Sequence, residues 1–193
     1  MVSLLLRGTH ACGGSLINSR WILSAGHCFQ RNSDPKLWQA ALGEHDRTID
    51  TEADHIEMDI LRIVNHPSYQ GFWTHVDFDF SLLQMTLEVD FSIHPHIRPI
   101  CLPANDDNTY ENMVATATGW GRIVAGGQSP SKLQELDVNV LSNQECVDDY
   151  AHTSDQISEQ MVCAIRKGVK GVCHGDSGIV TFIFSLIYHL FLL

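Results

Sequence analysis

Ile56, Met58 and Ile60 alternate with Glu57 and Asp59, and Leu136, Val138 and Val140 alternate with Asp137 and Asn139. Successive side chains of an extended chain point to opposite faces, so each run describes a strand with one dry and one wet face. Runs of strand size recur between Gly, Pro, Asn and Asp clusters, whereas helical spacing is scarce. This restricts the chain to an all-β class, either barrels or a sandwich. Val2 to Leu6 reads as a first strand, turning at Arg7-Gly8-Thr9 into a second near Ala11 to Ile17. The best helix signal is Ser142 with Glu145 three residues later, a capping-box pattern opening only about two turns. Pro95, Pro99 and Pro103 stiffen residues 94–105 into an extended crossing between two packed units. No internal repeat or low-complexity tract interrupts the pattern, so the expectation is two all-β halves joined there.

The chain's 193 residues are enough to bury about 70% of the unfolded surface, so a real core is available. Twelve Lys and Arg stand against 23 Asp and Glu, a net charge of −11. Nucleic acids and anionic membranes select clustered cations, and neither is an expected partner. Six cysteines without a C-x-x-C pair suit a secreted, disulfide-bonded protein rather than a zinc or redox site. The apolar start at Met1 to Leu6 is too short for a secretory core, so no signal peptide is expected within this chain. Residues 179–193 carry no charged side chain. They fall short of the roughly 20 residues needed for a helical span, and include Ser185 and His189, so a buried or aggregation-prone strand is expected rather than an anchor.

Three local sequences carry chemistry. Ser24-Ala25-Gly26-His27-Cys28 follows the apolar strand Trp21-Ile22-Leu23, which places a histidine at a strand end beside a cysteine able to pin the turn. Asp77-Phe78-Asp79-Phe80-Ser81-Leu82-Leu83 places Asp79 at the head of an apolar strand, with Asp77 as the competing carboxylate. Cys173-His174-Gly175-Asp176-Ser177-Gly178 flanks a serine with glycines that let backbone N–H groups converge. A serine hydroxyl becomes a nucleophile when an imidazole takes its proton. A buried carboxylate fixes the tautomer of that imidazole, and backbone donors hold the developing oxyanion. The order here is His27, Asp79, Ser177. One histidine alone reads as an ordinary satisfied side chain; three such contexts together do not.

With these motifs the chain resembles the trypsin/chymotrypsin-type serine endopeptidases over roughly residues 2–178. Supporting segments are His10-Ala11-Cys12-Gly13-Gly14-Ser15-Leu16-Ile17, Leu42-Gly43-Glu44-His45-Asp46, Arg98-Pro99-Ile100-Cys101-Leu102-Pro103 and Thr118-Gly119-Trp120-Gly121. The resemblance implies two antiparallel β-barrels with a cleft between them, in one peptidase domain. The N-terminal barrel would span 1–94, the connection 95–105 and a truncated C-terminal barrel 106–178, with 179–193 as an apolar tail outside the pattern. It implies His27 as general base, Asp79 as its orienting partner, Ser177 as nucleophile, and Gly175 and Ser177 as oxyanion-hole donors. It also implies disulfides Cys12–Cys28 and Cys146–Cys163, leaving Cys101 and Cys173 without family partners. Six residues before the nucleophile, Gly171 stands at the base of the specificity pocket, where no carboxylate awaits a Lys or Arg. Chymotrypsin-like or elastase-like cleavage after apolar residues follows.

The implied partners are protein or peptide substrates and protein inhibitors of proteases; no cofactor and no metal is called for. Glu44, Asp46, Glu52 and Asp54 do not reproduce the family's calcium-loop spacing and read as a solvated acidic loop. Three departures weigh on catalysis: Ile179-Val180 after Gly178, no Ser-Trp-Gly strand beyond it, and no Ile-Val-Gly-Gly start before Val2. They keep an alternative open, a non-catalytic protease-like binding module or inactive fragment.

Overall fold

The computed structural model describes residues 1–49, 51–52, 54–71, 77–103, 109–123, 127–151, 157–165, 180–182 and 190–192. Six strands close the first barrel: β1 (Val2–Leu6), β2 (Thr9–Leu16), β3 (Trp21–Ser24), β4 (Trp38–Leu42), β5 (Ile56–Asn65) and β6 (Ser81–Met85), in the order β1-β2-β3-β6-β5-β4. All its pairings are antiparallel. The β1–β2 hairpin turns on Arg7 (φ +53°) and Gly8 (φ +77°), two successive left-handed residues whose twist matches that of the flanking strands. Leu4, Ile22, Phe29, Trp38, Leu83 and Met85 fill the interior at 1% exposure or less. Each such side chain contributes roughly 1.5–3 kcal/mol through removal from water. Phe29 meets Trp38 edge to face at 4.8 Å.

The second half is built on β7 (Val114–Gly119), β8 (Gln134–Val140) and β9 (Val162–Ile165), antiparallel in that order. β10 (Val180–Phe182) adds antiparallel to β7, and β11 (Leu190–Leu192) adds parallel to β9. Residues 180–182 and 190–192 thus supply backbone to the two edges of this sheet. The sheet stays open among the described residues. Among the described residues its core cluster comprises Ala115, Val138, Val140 and Ala164. Helix α1 (Asn143–Tyr150) begins at the expected capping box, with Ser142 Oγ accepting from Glu145 N–H and Glu145 accepting from Ser142 N–H. Cys146 on α1 is joined to Cys163 on β9. Among the described residues, no helix is long and apolar enough to cross a membrane.

Two sequence expectations need correction. Residues 94–97 turn instead of running extended, with Ile97 N–H donating to His94 O at 3.2 Å. Pro95 occupies the second turn position, which its fixed φ suits, and Ile97 drops into the barrel core. The chain then runs on along the barrel, with Ile100 N–H donating to Leu16 O at 2.8 Å.

The acidic loop is the second correction, because it is a seam between the halves rather than a solvated segment. Asp46 is buried at 6% exposure and accepts from Thr48 N–H and Oγ1, bonds that hold its pKa below the usual value. The Glu52 carboxylate accepts from His45 N–H (2.6 Å) and Asp46 N–H (2.9 Å). Held in this way, the loop presents its backbone to the second half. His45 O accepts from Leu133 N–H at 2.7 Å and Trp120 Nε1–H at 3.2 Å, and Arg47 donates to Ser131 O and Pro130 O. Carboxylates that satisfy backbone N–H groups are structural, and sequence spacing alone does not distinguish them from solvated ones.

Candidate active site

The chain order Trp21-Ile22-Leu23-Ser24 ends in a strand because its alternate residues are buried, and Gly26–Phe29 then coils into a 3₁₀ turn. Ser24 Oγ donates to Gly13 O at 2.7 Å. Cys28 is bonded to Cys12 on β2, with Cα atoms 6.3 Å apart. Two ties to β2 therefore bracket His27. Its side chain remains 20% exposed, while that of Asp79 is fully buried.

Asp79 lies two residues ahead of β6, and both of its oxygens point at His27. Oδ2 is 2.6 Å from Nδ1, and Oδ1 accepts the His27 backbone N–H at 2.6 Å. An ionised carboxylate only accepts, so against ionised Asp79 the bond requires the proton on Nδ1. Charge-assisted bonds of this length are strong and orient the ring tightly. Asp77 points elsewhere: it accepts from Phe78 N–H at 2.9 Å and from Ser158 Oγ at 3.0 Å, across the seam.

Sequence reasoning missed the packing that makes room for this pair. A Cβ on Gly26 would lie 3.1 Å from both Asp79 Oδ1 and the Tyr69 ring, so the missing side chain admits the carboxylate and the aromatic together. Phe78 has φ +54°, a left-handed backbone that a non-glycine residue rarely adopts. Nothing in the local composition announces either feature.

Ser177, Gly175 and Gly171 lie outside the described residues, as does Cys173. Cys101 is an exposed free thiol. The His27–Asp79 pair and both bridges are thus in place, and the proposed nucleophile, oxyanion-hole and pocket residues are not described. Away from the pair, His10 has its pKa pushed down to about 4, by burial first and by the Arg47 charge second. Burial also raises the Glu44 pKa.

A closed antiparallel barrel, a second sheet across a hydrogen-bonded seam, and a histidine held by a buried carboxylate define the two-barrel architecture of the chymotrypsin type, here with the second barrel incomplete among the described residues. The family model described as Trypsin matches residues 1–178. The chain belongs to that family of serine proteases. It is 37% identical over 174 residues to Serine proteinase stubble of Drosophila melanogaster, covering 88% of this chain and 21% of that protein. It is 34% identical over 177 residues to human Transmembrane protease serine 11B, covering 91% and 40% respectively. It is 36% identical over 185 residues to the Suppressor of tumorigenicity 14 protein homolog of Bos taurus, covering 92% and 21%. The chain therefore spans less than half the length of these curated relatives.

Proposed function

We propose that this chain is a serine endopeptidase domain, hydrolysing protein or peptide substrates through an acyl-enzyme formed on Ser177. The observation that supports it most is the Asp79 carboxylate gripping His27 at both Nδ1 and the backbone N–H. That grip leaves Nε2 as the base. In the proposed cycle Nε2 takes the Ser177 proton as Oγ attacks the scissile carbonyl. The same proton then passes to the leaving amine, and water reverses the sequence to release the acid. Gly175 and Ser177 N–H groups would hold the oxyanion, each such donor worth roughly 3–4 kcal/mol in the transition state. Asp79 stays ionised throughout and stabilises the imidazolium that forms.

Residues 1–193 are read as one peptidase domain, with barrel 1–94, connection 95–105, partial barrel 106–178 and an apolar tail 179–193 outside the family pattern. The two disulfides favour an oxidising, extracellular setting. Gly171 at the pocket base favours apolar side chains at the cleaved residue, and protein protease inhibitors would dock as substrates do. A panel of chromogenic peptides differing only at that residue tests the preference. Phe, Leu or Ala substrates are expected to outpace Lys and Arg substrates in kcat/KM by at least about tenfold, equivalent to about 1.4 kcal/mol. Faster cleavage after Lys or Arg would contradict the assignment of Gly171.

A further inference from the structure

Asp79 sits on a bend that its own sequence does not favour, and one imidazole packs against both residues flanking it. Phe78 is left-handed, and Phe80 N–H turns back to donate to Phe78 O at 2.7 Å, so Asp79 is the apex of a tight three-residue turn. Such conformations persist only where surrounding contacts over-determine them. His66, just beyond β5, supplies those contacts. Its backbone N–H donates to Phe80 O at 3.0 Å. Its ring stacks on Phe78 at 4.8 Å with an interplanar angle of 8°, and meets Phe80 at 4.6 Å and 54°. The ring is itself fixed, because Nδ1 accepts the Ser68 N–H at 3.2 Å.

Among the described residues, neither Phe78 nor Phe80 belongs to a hydrophobic core cluster, and Phe80 is 38% exposed, so the described core does not account for the aromatic stack. We propose that His66 is a positioning residue, a wedge between Phe78 and Phe80 that keeps the Asp79 carboxylate on His27. Relaxation of Phe78 toward negative φ would swing the carboxylate off an imidazole it now meets at 2.6 Å. A hydrogen bond loses most of its strength within 1 Å of such a shift. The role assigned to His66 rests on the reading of His27 and Asp79 as the working pair.

NMR of the full chain tests it without requiring hydrolysis. The two readouts are the downfield resonance of the His27 Nδ1 proton and the ionisation midpoint of His27. His66→Ala is expected to broaden that resonance through solvent exchange and to weaken proton binding at His27 about tenfold, one pH unit. His66→Phe, which keeps the stack and loses the Nδ1 acceptor, is expected to restore both. Phe80→Ala, at a half-exposed ring, is expected to move both in the same direction and less far. A folded His66→Ala with unchanged resonance and midpoint would overturn the proposal, as would His66→Phe behaving like His66→Ala. If His66→Ala does not fold, Phe80→Ala decides, and unchanged readouts there would overturn the role of His66. A wild-type chain that shows the His27 resonance and forms no acyl adduct sinks the endopeptidase reading alone and leaves this role standing.

Discussion

At the scale of single residues, space and conformation act separately, and two glycines show it. Gly8 (φ +77°) and Gly43 (φ +73°) both occupy the left-handed region, where a side chain costs about 1–2 kcal/mol. Around Gly8 a Cβ would meet nothing within 4 Å, whereas at Gly43 it would overlap the Asp54 carbonyl. Gly8→Ala is therefore expected to lower Tm by roughly 2–8 °C. Gly43→Ala is expected to cost at least twice as much, since backbone rather than a flexible side chain must move. Thermal melts followed by circular dichroism check the ratio, and equal losses would contradict the packing described for the seam loop. The same contrast governs the carboxylates. Asp77 and Asp79 are two residues apart in one apolar context, yet one serves the seam and the other serves His27. A sequence motif selects Asp79; only the fold shows what Asp77 does instead.

At the scale of elements, legibility followed the strength of alternation. β8 was readable because Val138 and Val140 are buried while Glu135 and Asp137 are wet. The helix start was readable because capping chemistry is local to four residues. β5 outran its signal. Alternation stops at Ile60, where the register with β6 shifts, and beyond it Leu61 and Val64 are exposed. A bulge flips the faces, so past it Ile63 packs against the core while Leu61 and Val64 face outward, and the alternation read up to Ile60 does not carry through. β4 gave no alternation at all, since Trp38, Ala40, Ala41 and Leu42 are buried on both faces. β7 alternates only small residues, Ala115 and Ala117 against Thr116 and Thr118, which is a weak hydrophobic contrast. The contacts of His66 with Phe78 and Phe80 join β5 to the segment before β6, and no local pattern reports a contact between separate strands. The site's chemistry was thus written locally, in His27 and Asp79, and its support was not.

At the scale of the whole molecule, the two halves meet at a seam that titrates. His10 Nδ1 is 2.8 Å from Ser3 Oγ, and its ring meets that of Trp120 edge to face with centroids 5.7 Å apart, with the Arg47 charge nearby. Its pKa falls from the ordinary 6.5 to about 4, so the fold holds it neutral. Below the ordinary value the unfolded chain takes up a proton that the folded chain refuses. The stabilisation is thus complete above about pH 6.5 and is lost as pH falls toward 4. Glu44 acts with the opposite sign, because burial favours its neutral form and protonation on acidification favours the fold. His10→Gln removes the first contribution and leaves the second. Its Tm is expected to fall less than that of the wild-type chain between about pH 7 and pH 4.5, and parallel curves would contradict the assignment.

The central claim is that the carboxylate-held imidazole at His27 serves a nucleophile at Ser177. Its most direct test is covalent labelling of the folded chain with a fluorophosphonate, located by mass spectrometry of the peptide containing Ser177. The wild-type chain is expected to carry the adduct on Ser177. His27→Ala is expected to abolish it, and Asp79→Asn to slow its formation by up to about 10⁴-fold through the wrong tautomer. No adduct on the folded wild-type chain, or an equal rate in His27→Ala, would contradict the claim and leave a protease-like binding module.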